Sequence, residues 1–196
     1  MTTNHQLINQ TSGKVEYYTP PAIIEAARAT MGGIDLDPAS SARANEIVQA
    51  AQYITAEQDG LSQPWFGRVW MNHPFGKGEK ACRPNCKKKT CRDRGHCITE
   101  DIPGNEDWIE KLLRAFRYGN VEEAICITFA SMSEAWLRPL LWHPMCFPYR
   151  RINYLNPDGT VAKGVTKGSV ITYLGPNFER FQEVFYLERR IGVVKS

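Results

Sequence analysis

The sequence lacks any long apolar run, and its first residues lack the hydrophobic core of a signal peptide. No stretch approaches the roughly 20 consecutive apolar residues that a helix needs to span a bilayer, and the start of the chain, 1–14, is polar. We therefore expect a protein of the reducing cytoplasm that makes no membrane contact. In that compartment the six cysteines indicate free thiols or metal ligands, and a disulfide framework is not expected.

The chain is also short for two domains. Its 196 residues are 42% hydrophobic and 11% aromatic, which is enough to build one packed core. Single domains commonly reach about 200 residues. We therefore expect one domain over 1–196, with an insertion at 77–104.

The net charge is low, but one segment is strongly basic. Between Lys77 and Arg94 lie eight basic residues and two acidic ones, a local charge of +6 within a chain of net charge +3. Contact with nucleic-acid phosphates requires such clustering, although a solvated lysine loop has the same composition. We favour DNA contact, with Arg150 and Arg151 as two further candidates for which solvent exposure is the equal alternative. The residues of the basic segment expected to contact DNA are Arg83, Lys87, Lys88, Lys89, Arg92 and Arg94.

The same segment holds four cysteines within sixteen residues, Cys82, Cys86, Cys91 and Cys97. The gaps between them are wider than the two-residue knuckles of the strongest zinc patterns. Four thiols this close nevertheless favour a structural zinc site, with His96 as an alternate ligand. A metal would order an insertion too poor in apolar residues to fold alone. Spacing leaves an iron–sulfur cluster or free thiols open.

A second group of polar residues follows the apolar run 69–71. The tetrapeptide Asn72-His73-Pro74-Phe75 offers what an enzyme needs to hold a flipped base by its amino group. The side-chain oxygen of Asn72 and the backbone carbonyl of His73 can accept the two N–H bonds of an adenine 6-amino group. Phe75 can stack on the base. Taken alone, the same string is typical of a turn that ends a strand.

Upstream, the run 33–40 alternates apolar and acidic residues and then breaks at Pro38. This pattern indicates a short buried strand with Asp37 at its carboxyl end. Ligands of open α/β sheets bind at that end of the strands. The sequence therefore predicts an α/β fold with a carboxylate in its binding crevice.

A helix is predicted before that strand, over 22–31. Thr19 is placed to cap it, Pro20 lies in its first turn, and Gly32-Gly33 ends it. The start of this helix is expected to face the same crevice as Asp37.

Further elements follow the basic segment. The predicted helices cover 106–118 and 131–141, and the predicted buried strands cover 124–129 and 145–148. The segments 151–155 and 169–174 are predicted to form an antiparallel pair. The residues assigned to the core are Trp108, Trp136, Trp142, Cys126 and Cys146.

These segments belong to a pattern that runs from Tyr18 to Gly175. Its members are Tyr18-Thr19-Pro20, 34–41, Asn45, 53–55, Asp59-Gly60-Leu61, Trp65, 69–72, Trp108, 124–128, 147–152 and 168–175. The pattern covers nearly the whole chain and resembles the phage and prophage family of DNA adenine amino-methyltransferases, the Dam-like enzymes. The resemblance implies a Rossmann-like methyltransferase sheet, S-adenosylmethionine as methyl donor and adenine in DNA as acceptor. With the basic segment and its cysteines, we expect an α/β fold: a Rossmann-like S-adenosylmethionine-dependent methyltransferase sheet with an inserted Cys-rich basic loop. We expect double-stranded DNA as partner, a bacterial cytoplasm as setting, and a monomer or a homodimer.

The resemblance also implies roles for individual residues. The implied donor-binding residues are Tyr18, Thr19, Pro20, Asp37, Pro38, Asn45 and Asp59, and the implied target-amine clamp is Asn72, His73, Pro74 and Phe75. Asn45 and Asp59 have equal alternative interpretations as a helix-end residue and a turn residue. The chain departs from the family in two places. The usual second clamp residue is proline, where this chain has His73, and the glycine-rich turn of broader methyltransferases is replaced by 38–41.

Two other functions fit the same residues. One is a non-catalytic DNA-binding protein with a zinc loop on a decayed methyltransferase scaffold. The other is a methyltransferase that acts on RNA or on a free nucleotide, although the basic segment disfavours a free nucleotide.

Overall fold

The structure is a computed structural model that describes residues 17–156, 158–162, 167–187 and 192–194. Within these residues, seven strands form one sheet in the order β2-β1-β3-β4-β6-β5-β7. The strands are β1 (Leu36–Asp37), β2 (Gln52–Tyr53), β3 (Gly67–Met71), β4 (Val121–Phe129), β5 (Met145–Phe147), β6 (Ser169–Leu174) and β7 (Gly192–Val194). The polar start, 1–14, lies outside the described residues.

Helices connect the strands and confirm the α/β class. The α-helices are α1 (Pro21–Met31), α2 (Ala42–Val48), α3 (Lys89–Arg94), α4 (Asn105–Arg117) and α5 (Phe178–Gln182). Two 3-10 helices cover Ala56–Gln58 and Ala135–Trp142, and a π-helix covers Glu183–Leu187. None of the described helices has the length and apolar character needed to cross a bilayer.

The sheet has a parallel half and an antiparallel half. Strands β2, β1, β3 and β4 run parallel, while β6 and β7 run antiparallel to their neighbours. The carboxyl ends of the four parallel strands therefore meet at one edge of the sheet. Residues that follow β1 and β3 are neighbours there, because these two strands pair directly.

Helix α1 begins and ends nearly as its sequence predicts. Pro21 occupies the first helical position, where a missing N–H costs nothing, and Gly32 ends the helix with a left-handed φ of 76°. One detail of the prediction is wrong. The residue at the N-cap is Pro20, no side chain caps the helix, and the Thr19 hydroxyl bonds elsewhere.

Apolar side chains fill both faces of the sheet. On one face Ile125 and Ile127 of β4 pack with Ile24 of α1, and on the other Ala124 of β4 packs with Leu112 of α4. All five are almost fully buried. Burial of each large aliphatic side chain contributes about 1.5 to 3 kcal/mol, and the alternation along β4 explains why helices cover both faces.

The core assignments are confirmed with one exception. Cys126, Cys146 and Trp108 are buried, and Trp136 packs partly buried against the core. Trp142, however, is 83% exposed. It ends the 3-10 helix at the surface, so its assignment to the core is wrong.

Two predicted elements are also corrected. The sequence predicts 151–155 as the antiparallel partner of β6, but β6 is already paired on both sides, with β4 and with β5. Leu155 forms only isolated bridges, to Tyr18 and Val161. The helix expected at 131–141 is a 3-10 helix over Ala135–Trp142, and Pro139 within it has no N–H to donate.

A bidentate ion pair ties β3 to the segment before β1. Arg68 Nε and Nη2 donate to Asp35 Oδ2 and Oδ1 at 2.8 and 2.7 Å. The Arg68 side chain holds the pKa of the Asp35 carboxyl below its usual value. The pair fixes the start of the two strands whose other ends carry Asp37 and Asn72.

Candidate functional site

The structure brings the start of α1 and the end of β3 together. Asn72 follows Met71, the last residue of β3, and its Nδ2 lies 3.2 Å from Thr19 Oγ1. Thr19 is buried and Asn72 is half-buried. Within the described part of the chain, Asn72 Oδ1 accepts no hydrogen bond. The amide is thus held by its nitrogen, and its oxygen is left to accept an N–H.

Asp37 lies at the end of β1, next to β3 in the sheet, and is only 2% exposed. Its Oδ1 accepts a hydrogen bond from the Ala39 amide at 3.2 Å. Burial raises the pKa of the carboxyl to about 7, because few groups nearby replace the lost hydration. A buried carboxylate in this position would be stabilised by a cationic group of a ligand.

The Asp59-Gly60 turn, which follows the first 3-10 helix, lies against Pro38, the residue after Asp37. A Cβ added to Gly60 would lie 1.9 Å from the Pro38 carbonyl oxygen, so only glycine permits this close approach of the two backbones. Asp59 takes a left-handed φ of 55°, and its Oδ1 accepts from the Leu61 amide at 3.1 Å. The structure therefore brings Pro38 and the Asp59-Gly60 turn into direct contact.

Three other residues that the resemblance implies in binding the methyl donor are Asn45, Tyr18 and Pro20. Both ends of the Asn45 amide bond to the backbone of Ala50, at 2.9 and 3.3 Å. This is the helix-end role that the sequence left open. Tyr18 is buried and pairs with Leu155 through the backbone at 2.8 and 2.9 Å. Pro20 is half-buried at the start of α1.

His73 is buried immediately after Asn72, with 2% of its surface exposed. Its Nε2 lies 3.0 Å from Asn105 Oδ1, and its ring stacks on Trp108 at 6.0 Å between centroids. Burial lowers the pKa of the imidazole to about 4. The ring is therefore neutral at physiological pH.

Phe75 belongs to an aromatic wall at the carboxyl edge. Its ring lies 4.4 Å from that of Phe129, at the end of β4, and meets the edge of His73 at 5.2 Å. The ammonium group of Lys167 lies over Phe129 at 4.9 Å. Phe75 is half-buried, so part of its ring is open to a stacking partner. Pro74, between His73 and Phe75, is exposed.

The four cysteines of the basic segment converge on one point. Their sulfur atoms all lie within 4.8 Å of one another, with Cys91 Sγ 3.4 Å from Cys82 Sγ and 3.7 Å from Cys86 Sγ. Four thiolates around a zinc ion lie about 3.8 Å apart, given Zn–S bonds of about 2.3 Å and tetrahedral geometry. An iron–sulfur cluster contains several irons and sulfides and needs wider separations. The group can therefore hold a single metal ion such as zinc.

Groups around the thiols complete the site. Arg94 Nη2 contacts Cys91 Sγ at 3.5 Å while its guanidinium pairs with the Glu79 carboxylate at 3.1 and 3.3 Å. The Lys88 amide donates to Cys86 Sγ at 3.5 Å. Positive groups and N–H donors near sulfur stabilise thiolates bound to a metal. His96, the alternate ligand, is exposed and outside the convergent group.

The ends of this insertion are joined beside Asn72. Glu79 and Ile102 form a two-way backbone bridge at 2.9 and 2.8 Å, and the Asn105 amide donates to the Gly76 carbonyl at 2.9 Å. A Cβ added to Gly104 would lie 2.2 Å from the Gly78 nitrogen, so the two backbones touch. The segment between these contacts forms a closed loop.

The basic residues of the loop fall into two groups. Arg94, Lys88 and Lys80 lie near acidic partners, since Arg94 pairs with Glu79, Lys88 lies 3.7 Å from Glu79, and Lys80 lies 2.7 Å from Asp101. The others are exposed and form no ion pair within the described residues. They are Lys77, Arg83, Lys87, Lys89 and Arg92. Outside the loop, Arg150 and Arg151 are also exposed.

Sequence reasoning missed three contributors to these sites. Asn105 begins α4 after Pro103-Gly104, which signals only a helix start. Phe129 ends a buried strand, and nothing in its local pattern indicates that it faces Phe75. In the sequence, Glu79 is one of the two acidic residues of the basic segment. Its ion pair with Arg94 depends on how the loop folds.

Comparisons with protein-family models, curated proteins and solved structures found no match to the chain.

Proposed function

We propose that the protein transfers a methyl group from S-adenosylmethionine to the exocyclic amino group of adenine in DNA. The observation that carries this proposal is the position of Asn72 at the end of β3, held through Nδ2 by Thr19 and next in the sheet to the strand that ends at Asp37. A polar amide oxygen and a buried carboxylate thus lie at the edge where α/β sheets bind ligands. Methyltransferase sheets typically carry antiparallel strands at their end, and the strands beyond β4 are antiparallel.

The residues around Asp37 fit the methyl donor. When bound, the donor supplies a methyl group on a positively charged sulfur, which reacts with an amine without a covalent enzyme intermediate. The Asp37 carboxylate would accept hydrogen bonds from the ammonium group of the donor, which lowers the raised pKa of Asp37. Pro38 and the Asp59-Gly60 turn would line the remainder of the donor site.

The clamp residues act on the acceptor amine. Asn72 Oδ1 and the His73 carbonyl would each accept one N–H, which draws the amine nitrogen towards tetrahedral geometry. Phe75 would stack on the flipped base and hold its amine in place for the transfer. The amine nitrogen would take the methyl group as the C–S bond of the donor breaks, and its displaced proton would leave to water. The His73 imidazole, neutral and bonded to Asn105, has no part in that proton transfer.

The four thiols are proposed to hold a structural zinc ion. Their separations fit a closed tetrahedral set of ligands, which leaves no position for a substrate. Among the described residues, only two side chains between 77 and 98 are buried, Cys91 and Ile98. A metal would therefore supply the order that apolar burial cannot.

The exposed cations of the loop are proposed to contact DNA phosphates. Arg83, Lys87, Lys89 and Arg92 have no acidic partner within the described residues, and they lie on an insertion whose ends flank the clamp. Phosphate contacts are independent of sequence and would hold the duplex while the base is flipped out.

Methyl transfer itself tests the proposal. Purified protein is incubated with labelled S-adenosylmethionine and either unmethylated duplex DNA, RNA or free adenosine, and the products are digested to nucleosides. We expect label in N6-methyladenine from duplex DNA, and none with the Asn72→Ala variant. Label in RNA or adenosine would change the acceptor. DNA binding without donor binding would identify a non-catalytic DNA-binding protein.

A further inference from the structure

Asn105 makes three contacts with the clamp turn. Its Oδ1 lies 3.0 Å from His73 Nε2 and accepts the Gly76 amide at 3.3 Å, and its backbone N–H donates to the Gly76 carbonyl at 2.9 Å. Asn105 is 8% exposed and is the first residue of α4. One residue therefore joins a member of the clamp, the glycine that follows the clamp and a helix of the core.

These contacts fix the protonation of His73. The Gly76 amide can only donate, so the Asn105 atom between it and His73 must be the acceptor oxygen. His73 Nε2 must then carry the proton, which defines one neutral tautomer. In the described part of the chain, the other ring nitrogen, Nδ1, is buried without a hydrogen-bond partner.

The His73 ring is also held by its neighbours. It stacks on Trp108 at an interplanar angle of 25° and meets Phe75 edge-on at 87°. Trp108 in turn approaches Gly60, where an added Cβ would lie 3.1 Å from the indole ring. A fixed His73 side chain restrains the backbone of His73, whose carbonyl is one of the two acceptors in the clamp.

We propose that Asn105 is a positioning residue, which sets the direction of the His73 carbonyl by anchoring the His73 ring and Gly76 to α4. This inference deepens the proposed function and rests on it, because the carbonyl acts only if an amine is bound there. Asn105 is not among the residues proposed to contact the donor or the acceptor. Its replacement should displace the clamp while leaving the Asp37 side of the crevice intact.

The test compares Asn105→Ala, Asn105→Asp and a matched control, Asn177→Ala. The control also removes a side-chain bond, since Asn177 Nδ2 lies 2.9 Å from Glu123 Oε1, but Glu123 is in the first part of β4, at the opposite edge of the sheet. We expect Asn105→Ala to lower kcat by about 100-fold, the effect of displacing a reacting group by roughly 1 Å. Its Kd for S-adenosylmethionine should change less than twofold. Asn105→Asp keeps an acceptor oxygen and should recover most of the activity, while Asn177→Ala should keep the wild-type rate.

Nuclear magnetic resonance provides a readout that does not need activity. In wild-type protein the His73 ring nitrogens should show the Nε2-protonated neutral tautomer, and the Gly76 amide should exchange slowly with solvent. Asn105→Ala should alter the tautomer signals and speed Gly76 exchange, whereas Asn177→Ala should change neither. Unchanged His73 and Gly76 signals in Asn105→Ala would overturn the inference, as would an unchanged kcat. If wild-type protein transfers no methyl group, the proposed function fails, and the two signals alone decide whether Asn105 holds the turn.

Discussion

Thr19 and Asn72 are 53 positions apart in the chain, yet Asn72 Nδ2 lies 3.2 Å from Thr19 Oγ1. The contact joins the start of helix α1 to the residue after strand β3. It orients the Asn72 amide, so that Oδ1 faces away from Thr19. A residue implied in donor binding thereby positions a residue implied in acceptor binding.

Replacement of Asn72 tests the clamp. Asn72→Ala removes the oxygen that accepts an amine N–H, and we expect kcat to fall by on the order of 100-fold or more. Asn72→Asp retains acceptor oxygens and should keep part of the activity. Methyl transfer to duplex DNA is measured with Asn153→Ala, an exposed amide, as the control. Equal turnover in Asn72→Ala and wild type would remove Asn72 from the mechanism.

The raised pKa of Asp37 predicts a pH dependence of stability. Burial brings that pKa to about 7 in the folded protein, above the value of about 4 in an unfolded chain. The folded state therefore holds the proton more tightly, and this group's contribution to stability falls as pH rises from about 4 to about 7. Asp37→Asn should be more stable than wild type at pH 8, by up to about 4 kcal/mol, with little difference near pH 4.

Urea unfolding at pH 4, 6 and 8 measures this difference without donor. Wild type and variant are compared at each pH, so that effects common to both, such as protonation of the thiols, cancel. A variant less stable than wild type at pH 8 would show that the ionised carboxylate has a stabilising partner in the folded protein.

Asp37 should also determine donor affinity. A carboxylate that bonds an ammonium contributes about 1.5 to 3 kcal/mol, so Asp37→Ala should raise the Kd for S-adenosylmethionine by about 10- to 150-fold. Calorimetry measures binding of the donor, and a mobility shift measures binding of DNA, whose affinity should stay the same. An equal decrease in both affinities would indicate a general disturbance of the fold.

The thiol cluster predicts one metal ion for each chain. Elemental analysis of protein purified without chelator should find about one zinc per molecule. Cys86→Ser should release the metal and loosen the loop while the sheet stays folded. His96→Ala, outside the convergent group, should keep it. Release of the metal in His96→Ala would restore histidine as a ligand, and absence of zinc and iron from the wild type would leave four free thiols.

The exposed cations predict the salt dependence of DNA binding. Combined replacement of Arg83, Lys87 and Lys89 by alanine should weaken binding to all sequences equally. It should also reduce the slope of log K against log salt by roughly 0.9 for each phosphate that the variant no longer neutralises. Lys80→Ala removes a lysine already paired with Asp101 and is the matched control. If the triple variant keeps the wild-type slope, Arg150 and Arg151 become the next residues to replace.

The elements predicted correctly are those that residues close together in the sequence determine. Helix α1 has its proline start and its glycine end, and β4 and α4 follow from their apolar periodicity. The spacing of Cys82, Cys86, Cys91 and Cys97 sufficed to predict that the thiols would meet.

The rest depended on contacts between distant residues. Whether 151–155 joins the sheet was decided by β4 and β5, which occupy both sides of β6. The sequence shows His73 only as a replacement of the family's proline. No local pattern indicates that Asn105 lies 3.0 Å from the His73 ring. Arg94 was expected to face DNA, and the structure turns it towards Glu79 and Cys91.

The bridge between Glu79 and Ile102 has a consequence for how such a protein can diversify. Together with the bond from the Asn105 amide to the Gly76 carbonyl, it closes the base of the insertion independently of the residues farther out. These contacts are made by backbone atoms, so substitutions within 80–101 can alter the charges of the loop without removing the bonds that close its base. If the loop contacts a nucleic acid as proposed, that surface can therefore evolve separately from the residues around Asn72.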